Sequence, residues 1–171
     1  RSNVARLRSP ATDAAGRSAD GPVAAGPMST LASMTPWCFA DVAVAPPDWL
    51  GDSRICTVSG GDSRQDSVTA ALAASPASGN DLVAVHDGAR PALALADLVA
   101  VCQAALSADG AVLGRGASDT LKLLEQGVIV GTVNRSRVFR AETPQVFSRR
   151  VLERAIEAAI AIGFSGTDEA S

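Results

Sequence analysis

The apolar positions of this chain fall into short Val-rich runs separated by longer stretches with a helical period. Leu82–Val85 (LVAV) is four apolar residues long and stops abruptly at His86-Asp87-Gly88-Ala89-Arg90-Pro91. A run of this kind reads as a buried strand. Asp41–Ala45 (DVAVA), closed by Pro46-Pro47, reads as another, as do Ile55–Ser59 and Ala111–Leu113. Helices are expected at Ser63–Ala74, with Val68 and Leu72 on the apolar face, and at Leu93–Ser107, ended by Asp109-Gly110. A third is expected at Ser148–Ile162, with Ser148 as N-cap and Gly163 as stop. Its buried side would be Val151, Ile156, Ala159 and Ile160, with Arg149, Arg150, Glu153 and Glu157 facing water. Arg137–Thr143 reads as a short segment stopped by Pro144.

Asp119–Val133 follows a different rule. Two apolar runs, at 120–124 and 128–130, flank Glu125-Gln126-Gly127, which is a hairpin signal. The expected arm, about residues 119–135, projects from the domain and must cover its apolar face, with a partner subunit as one candidate. The remaining alternation of strands and helices predicts an α/β fold: three layers around a mainly parallel sheet with right-handed crossovers. Residues 1–36 show no period and are dense in Ala, Ser, Gly, Pro, Arg and Asp. That composition predicts a low-complexity, irregular or disordered segment preceding a domain at 37–171.

Composition adds exclusions. With 171 residues, 47% apolar and 19% charged, the chain suits a single soluble domain. A net charge of −3 gives no electrostatic footprint for nucleic acid, and no apolar run approaches a membrane span. Cys38, Cys56 and Cys102 are far apart and only one histidine is present, which predicts reduced thiols, no zinc site and a cytoplasmic setting. Of 15 Lys and Arg residues, Lys122 is the only lysine.

The chemistry-bearing residues gather at element ends. After the strand Leu82–Val85, Asp87 presents a carboxylate suited to a hard cation such as Mg²⁺, and Arg90 a guanidinium suited to a phosphate. An Asp–Arg pair tying down a loop would use the same residues. Gly60-Gly61-Asp62-Ser63-Arg64, with Ser67 beyond, lets backbone N–H groups approach a ligand at a helix start. A plain strand-to-helix turn would look alike. Thr120, Arg135, Thr143 and Thr167 recur at element ends. Those groups suit a phosphorylated, polyhydroxylated small molecule, or else serve as caps and surface charge.

Their order along the chain is more specific than any one of them. GGDSRxxSV, VHDGARP, DTLK, TVNRSxVFxAETPQxF and TDEAS occur in that sequence between about Asp41 and Ser171. The run closely resembles the 2-C-methyl-D-erythritol 4-phosphate cytidylyltransferase family of the non-mevalonate isoprenoid pathway. The resemblance implies a Rossmann-like nucleotidyltransferase fold, a homodimer, and transfer of CMP from CTP to methylerythritol phosphate with Mg²⁺ and release of pyrophosphate. It implies nucleotide contacts from Gly61, Asp62, Ser67 and Gly88. Asp87 would sit near Mg²⁺ and substrate. Arg90, Thr143 and Thr167 would line the substrate pocket, and Thr120 and Arg135 would reach across to the partner's site. Asp87, Arg90 and Arg135 would be the catalytic group.

The chain also departs from that pattern. The family's opening apolar strand and its glycine-rich triphosphate loop, bearing an Arg and a Pro-Lys-Gln, have only Ala14-Ala15-Gly16-Arg17 as a counterpart. No lysine precedes Lys122, and the family's catalytic lysine beyond TDEAS has no match. Asn134 stands where an Asp is usual and Gly116 where a Pro is usual. Loss of such basic groups commonly costs roughly 10²-fold or more in rate, so this chain is expected to turn over little. Two other readings accompany the first: a cytidylyltransferase for another sugar-alcohol phosphate such as ribitol 5-phosphate, and a non-catalytic substrate-binding or dimerisation module.

Overall fold

A computed structural model of the chain describes residues 3–7, 37–41 and 55–171. In chain order the elements are β1 (Asn3–Leu7), β2 (Trp37–Asp41), β3 (Ile55–Ser59), α1 (Arg64–Ala74), β4 (Leu82–Val85), α2 (Leu95–Ala105), β5 (Gly110–Gly116), β6 (Lys122–Glu125), β7 (Val128–Thr132) and β8 (Phe139–Ser148). A 3₁₀ turn, Arg135–Arg137, precedes β8, and α3 (Arg149–Ala161) follows it. By contact density they fall into two compact units, Arg1–Pro10 with Ala84–Val146, and Ala11–Val83 with Phe147–Ser171.

The first unit is built on a four-stranded sheet in the order β1-β5-β8-β4. Helix α2 packs against β5 and β1. It contributes buried Val101, Cys102, Ala104 and Ala105 to a core shared with Ala111, Val112, Leu113 and Val146. Strand β5 buries every residue from Gly110 to Gly114, as an interior strand should. A Cβ on Gly114 would overlap the Arg140 carbonyl and the Phe139 ring, so only glycine allows β8 to lie this close.

The sheet corrects the parallel expectation at one pairing. β1 runs antiparallel to β5, from Asn3 opposite Gly114 to Leu7 opposite Gly110, whereas β2 and β3 pair in parallel. The strand β1 also corrects the expectation of irregular structure for these five residues. Val4, Ala5 and Leu7 are half-buried while Arg6 is exposed, a pattern without strict alternation and too short to stand out from a biased 36-residue background. Residues 8–36, including Ala14-Ala15-Gly16-Arg17, lie outside the described residues.

Other boundaries move for local reasons. The strand expected at Asp41–Ala45 is found at Trp37–Asp41, in register with β3; residues 42–45 lie outside the described residues. α2 ends at Ala105, and Gly110 opens β5 instead of stopping the helix. α2 begins at Leu95, two residues later than expected. β8 runs straight through Pro144, which follows a cis peptide bond and is fully buried. β4 is half-buried along its length instead of fully buried.

In the second unit α1 packs on β2 and β3. Ser63 caps α1 by accepting from the Asp66 amide (3.1 Å), and the Asp66 carboxylate accepts from the Ser63 amide (3.1 Å). This reciprocal box satisfies two donors at the helix start. Helix α3, capped by Ser148 and followed by Gly163 at φ +66°, buries Leu152 almost completely. Ile160, expected on the buried side, is 61% exposed, and Arg149, expected in water, is only 15% exposed in its side chain. Arg149 donates to the carbonyls of Ser75 (2.8 Å) and Ala77 (2.7 Å), and its Nε donates to Glu153 (2.7 Å). It thus satisfies carbonyls in the segment that follows α1, which a helical wheel of α3 alone does not reveal.

The hairpin has the expected form. Gln126 and Gly127 both have positive φ, 47° and 82°, the pair of values that a two-residue type I′ turn requires. β6 and β7 pair antiparallel with an irregularity between Leu123 and Leu124. Leu123, Leu124, Val128, Ile129 and Val130 are all exposed.

Candidate functional site

In the first unit the strand end after β4 is organised by hydrogen bonds that begin at Thr143. Its Oγ1 accepts from the Asp87 amide (3.1 Å) and lies 3.0 Å from Nδ1 of His86. The His86 Nε2 lies 2.8 Å from the Arg90 carbonyl. A carbonyl can only accept, so Nε2 carries the proton, and in the neutral ring Nδ1 accepts from the Thr143 hydroxyl. Arg90 closes the loop: its Nε donates to Asp87 Oδ2 (3.0 Å), and its amide donates to the Asp87 carbonyl (2.9 Å), which makes Asp87–Arg90 a turn.

Asp87 and Arg90 of HDGARP and Thr143 of ETPQ are therefore brought together, with His86 as the connecting group. Thr143 is buried, Asp87 half-buried and Arg90 exposed. A Cβ on Gly88 would meet nothing within 4 Å, so the chain's own packing does not demand glycine there. Thr120 and Arg135 are both exposed and sit at the base of the hairpin, where an Arg135 Nη1 donates to the Ser118 carbonyl. Lys122 donates to Thr132 Oγ1 across the hairpin (2.7 Å).

In the second unit Gly61 and Asp62 lie in the loop before α1, and Ser67, in the first turn of α1, bonds back to that loop. The Gly61 amide donates to Ser67 Oγ (3.1 Å), and the Ser67 hydroxyl donates to the Ser63 carbonyl (3.1 Å). Ser67 thus shapes the loop that carries Gly61 and keeps one lone pair for a further donor. A Cβ on Gly61 would overlap the Asp66 side chain. Asp62 is exposed at the tip. Thr167 is exposed as well, at the start of a turn in which Asp168 Oδ1 accepts from the Ala170 amide (3.1 Å) and the Ser171 hydroxyl (2.8 Å). A small cavity of about 60 Å³ lies between α1, α3 and this turn, lined by Arg64, Leu152, Phe164 and Glu169 among others.

Among the described residues, no group of three or more His, Cys, Asp or Glu side chains is placed to hold a metal, and no helix is long and apolar enough to cross a membrane. Cys56 and Cys102 are free thiols, and burial pushes the Cys102 thiol up from its ordinary pKa.

These motif residues have counterparts in known proteins. The sequence model of 2-C-methyl-D-erythritol 4-phosphate cytidylyltransferase matches residues 41–171. The chain belongs to that family. The family's enzyme from Aeromonas hydrophila is 43% identical over 138 residues, covering 76% of this chain and 56% of the relative. That from Xanthomonas euvesicatoria is 41% identical over 160 residues, covering 87% of this chain and 61% of the relative. The chain therefore spans a little over half the length of these curated relatives. The fold agrees: the crystal structure of the Thermus thermophilus cytidylyltransferase superposes with a TM-score of 0.64 at 32% identity, covering 74% of this chain and 60% of that one. The Francisella tularensis enzyme gives 0.62 at 26% identity, covering 70% and 57%.

Sequence reading alone does not single out two residues of the candidate sites. His86 enters the sequence analysis only as part of a motif, although as the sole histidine, adjacent to Asp87, it carries a signal. Glu169 lies inside TDEAS, and its partner Arg64 is 105 residues away; no local pattern announces such a pair.

Proposed function

We propose that this chain supplies the greater part of a nucleotidyltransferase domain that transfers CMP from CTP to 2-C-methyl-D-erythritol 4-phosphate and releases pyrophosphate. The observation that carries the reading is the Thr143–Asp87 bond. It sets the ETPQ motif against HDGARP, with Arg90 on the Asp87 carboxylate. The Arg90 guanidinium on the Asp87 carboxylate and the buried Thr143 hydroxyl on the Asp87 amide thus meet at one residue, and a guanidinium and a hydroxyl at one strand end suit a phosphate monoester.

In this reading the Gly61–Asp62 loop takes the cytidine, with Ser67 holding the loop in shape and Gly88 against the nucleotide. Arg90, Thr143 and Thr167 hold the methylerythritol phosphate. The substrate phosphate oxygen attacks the α-phosphorus in line. A new P–O bond forms, and the bond to the oxygen bridging the α- and β-phosphorus breaks as pyrophosphate leaves. The residues contribute by positioning and charge neutralisation.

Mg²⁺ is part of the proposal. A single half-buried carboxylate, Asp87, fits an ion that takes one or two protein carboxylates and otherwise phosphates and water. Asp87 would hold the ion, which would supply charge neutralisation on the phosphates; orienting them falls to Arg90.

The exposed apolar hairpin supports a homodimer in which Thr120 and Arg135 complete the partner's substrate site, and this too is a proposal. So are the mainly parallel Rossmann-like sheet of the whole domain, its extent over 37–171, and a cytoplasmic setting.

The test is calorimetric titration of the purified chain with CTP, with and without Mg²⁺, followed by turnover with methylerythritol phosphate and with ribitol 5-phosphate. Mg²⁺-strengthened CTP binding and slow turnover selective for methylerythritol phosphate are expected. A folded chain that binds no CTP overturns the reading.

A further inference from the structure

Arg64 is the first residue of α1, and a cation there opposes the positive end of the helix dipole. Its position needs another reason, and Glu169 provides one. The Arg64 guanidinium is bonded to Oε1 of Glu169, whose side chain is only 6% exposed. The second oxygen, Oε2, is buried without a hydrogen-bond partner. A carboxylate this enclosed depends on its ion pair, because losing the cation would leave a buried charge uncompensated.

The two ends of the pair belong to different loops. Arg64 directly follows Gly60–Ser63, which carries Gly61 and Asp62. Glu169 lies two residues after Thr167, in a turn tightened by the Asp168–Ser171 bonds. That turn is compact: a Cβ on Gly166 would come within 2.9 Å of the Asp168 carbonyl oxygen. A displacement of one loop therefore loads the other through a short, partly buried link.

We propose that Arg64 and Glu169 are positioning residues, a latch that couples the nucleotide loop Gly60–Ser63 to the substrate loop Thr167–Ser171. The proposal rests on the cytidylyltransferase reading, since it is that reading which gives the loops their ligands. Occupancy of the nucleotide loop then orders Thr167, and the order of binding at the two loops is cooperative.

Hydrogen exchange of the purified chain, with and without saturating CTP and Mg²⁺, tests this. In the wild-type chain CTP should slow exchange of the Asp168 and Ala170 amides, by roughly 5-fold or more for a coupling of ordinary size. Arg64→Ala and Glu169→Gln should abolish that response while CTP still protects the Gly61 amide. The swap of Arg64→Glu with Glu169→Arg should restore it. If Arg64→Ala does not fold, Arg64→Lys, which keeps the charge and loses the planar fork, should weaken the response. Single variants with an undiminished response at Asp168 and Ala170 overturn the latch, as does a wild-type chain that binds CTP without any response there; both leave the cytidylyltransferase reading standing. A wild-type chain that binds no CTP overturns that reading, and the latch with it.

Discussion

The hydroxyl of Thr143 and the backbone amide of Asp87 meet at 3.1 Å across 56 residues of chain. The bond fixes the end of β4 against β8, and the same hydroxyl serves His86. Thr143→Val keeps the shape of the side chain and removes both bonds. An amide left without its acceptor costs about 1–3 kcal/mol, so chemical denaturation should show a loss of that order. Thr143→Ser should retain most of the stability. If Thr143→Val is as stable as wild type, the hydroxyl is not what holds this loop.

The Ser63–Asp66 box makes a second, independent prediction. Ser63→Ala removes the oxygen that accepts from the Asp66 amide and should cost ~1 kcal/mol. Because the box adjoins Gly61 and Asp62, the variant should also weaken CTP binding. Asp66→Asn, which leaves the Ser63 cap in place, should cost less in both measurements.

Local rules suffice for α1, β3, β4, the hairpin and the cap of α3, while the cap of α1 falls on Ser63, expected as a helical residue. Ser63, Ser148, Gly163 and Gln126-Gly127 each act within a few residues of themselves. What was not legible depends on partners far away in the chain. β1 is a strand because β5 offers it an edge. Arg149 is enclosed because carbonyls more than 70 residues earlier accept from it. Pro144 lies inside β8, among residues buried from Thr143 to Phe147, a place that its missing N–H makes unfavourable by local rules. The candidate site divides in the same way. Asp87, Arg90 and Thr143 could each be picked from a motif, but the ring of His86 that links Thr143 to Arg90 is a tertiary fact.

Arg149 illustrates how far such a tertiary bond matters. Its guanidinium serves two carbonyls and is mostly buried. Arg149→Met retains much of the apolar stem but strands the carbonyls, and should destabilise the chain by about 1.5–3 kcal/mol, the range for bonds to a charged group. Glu153 is 42% exposed, so Glu153→Ala should change stability by roughly 0.5 kcal/mol or less. Urea titration of the two variants side by side checks the contrast. Equal effects would mean that the ion pair, and not the carbonyl bonds, is the stabilising contact.

The hairpin predicts association. Val128 is 64% exposed and Ile129 62%, and Leu123 and Leu124 are exposed beside them; consecutive strand residues point to opposite faces, so the hairpin carries exposed apolar side chains on both faces, and such a cluster marks an interaction surface. Sedimentation should show concentration-dependent dimerisation, and Val128→Asp with Ile129→Asp should abolish it without loss of helicity. Gly127→Ala separates the turn from the interface. Nothing lies within 4 Å of the added Cβ, so its effect comes from the positive φ alone and should be on the order of 1 kcal/mol.

Cys102 gives the pH prediction. Burial raises its pKa, so the native state favours the neutral thiol, whereas the unfolded chain ionises at the ordinary value of about 8.5. The folded pKa is the higher of the two. Its contribution to stability is therefore complete below the unfolded value and is lost as pH rises through the folded one. Thermal melts should accordingly fall above about pH 8.5, and Cys102→Ala should remove that part of the slope while opening a small cavity. Iodoacetamide mapping supplies the local check. Cys56 is half-buried and Cys102 buried, so Cys56 should alkylate first in the native chain, and the two should react alike in denaturant. Rapid native alkylation of Cys102 would mean that α2 opens readily from β5, which the packing of the two elements and the burial of Val101, Val112 and Leu113 argue against.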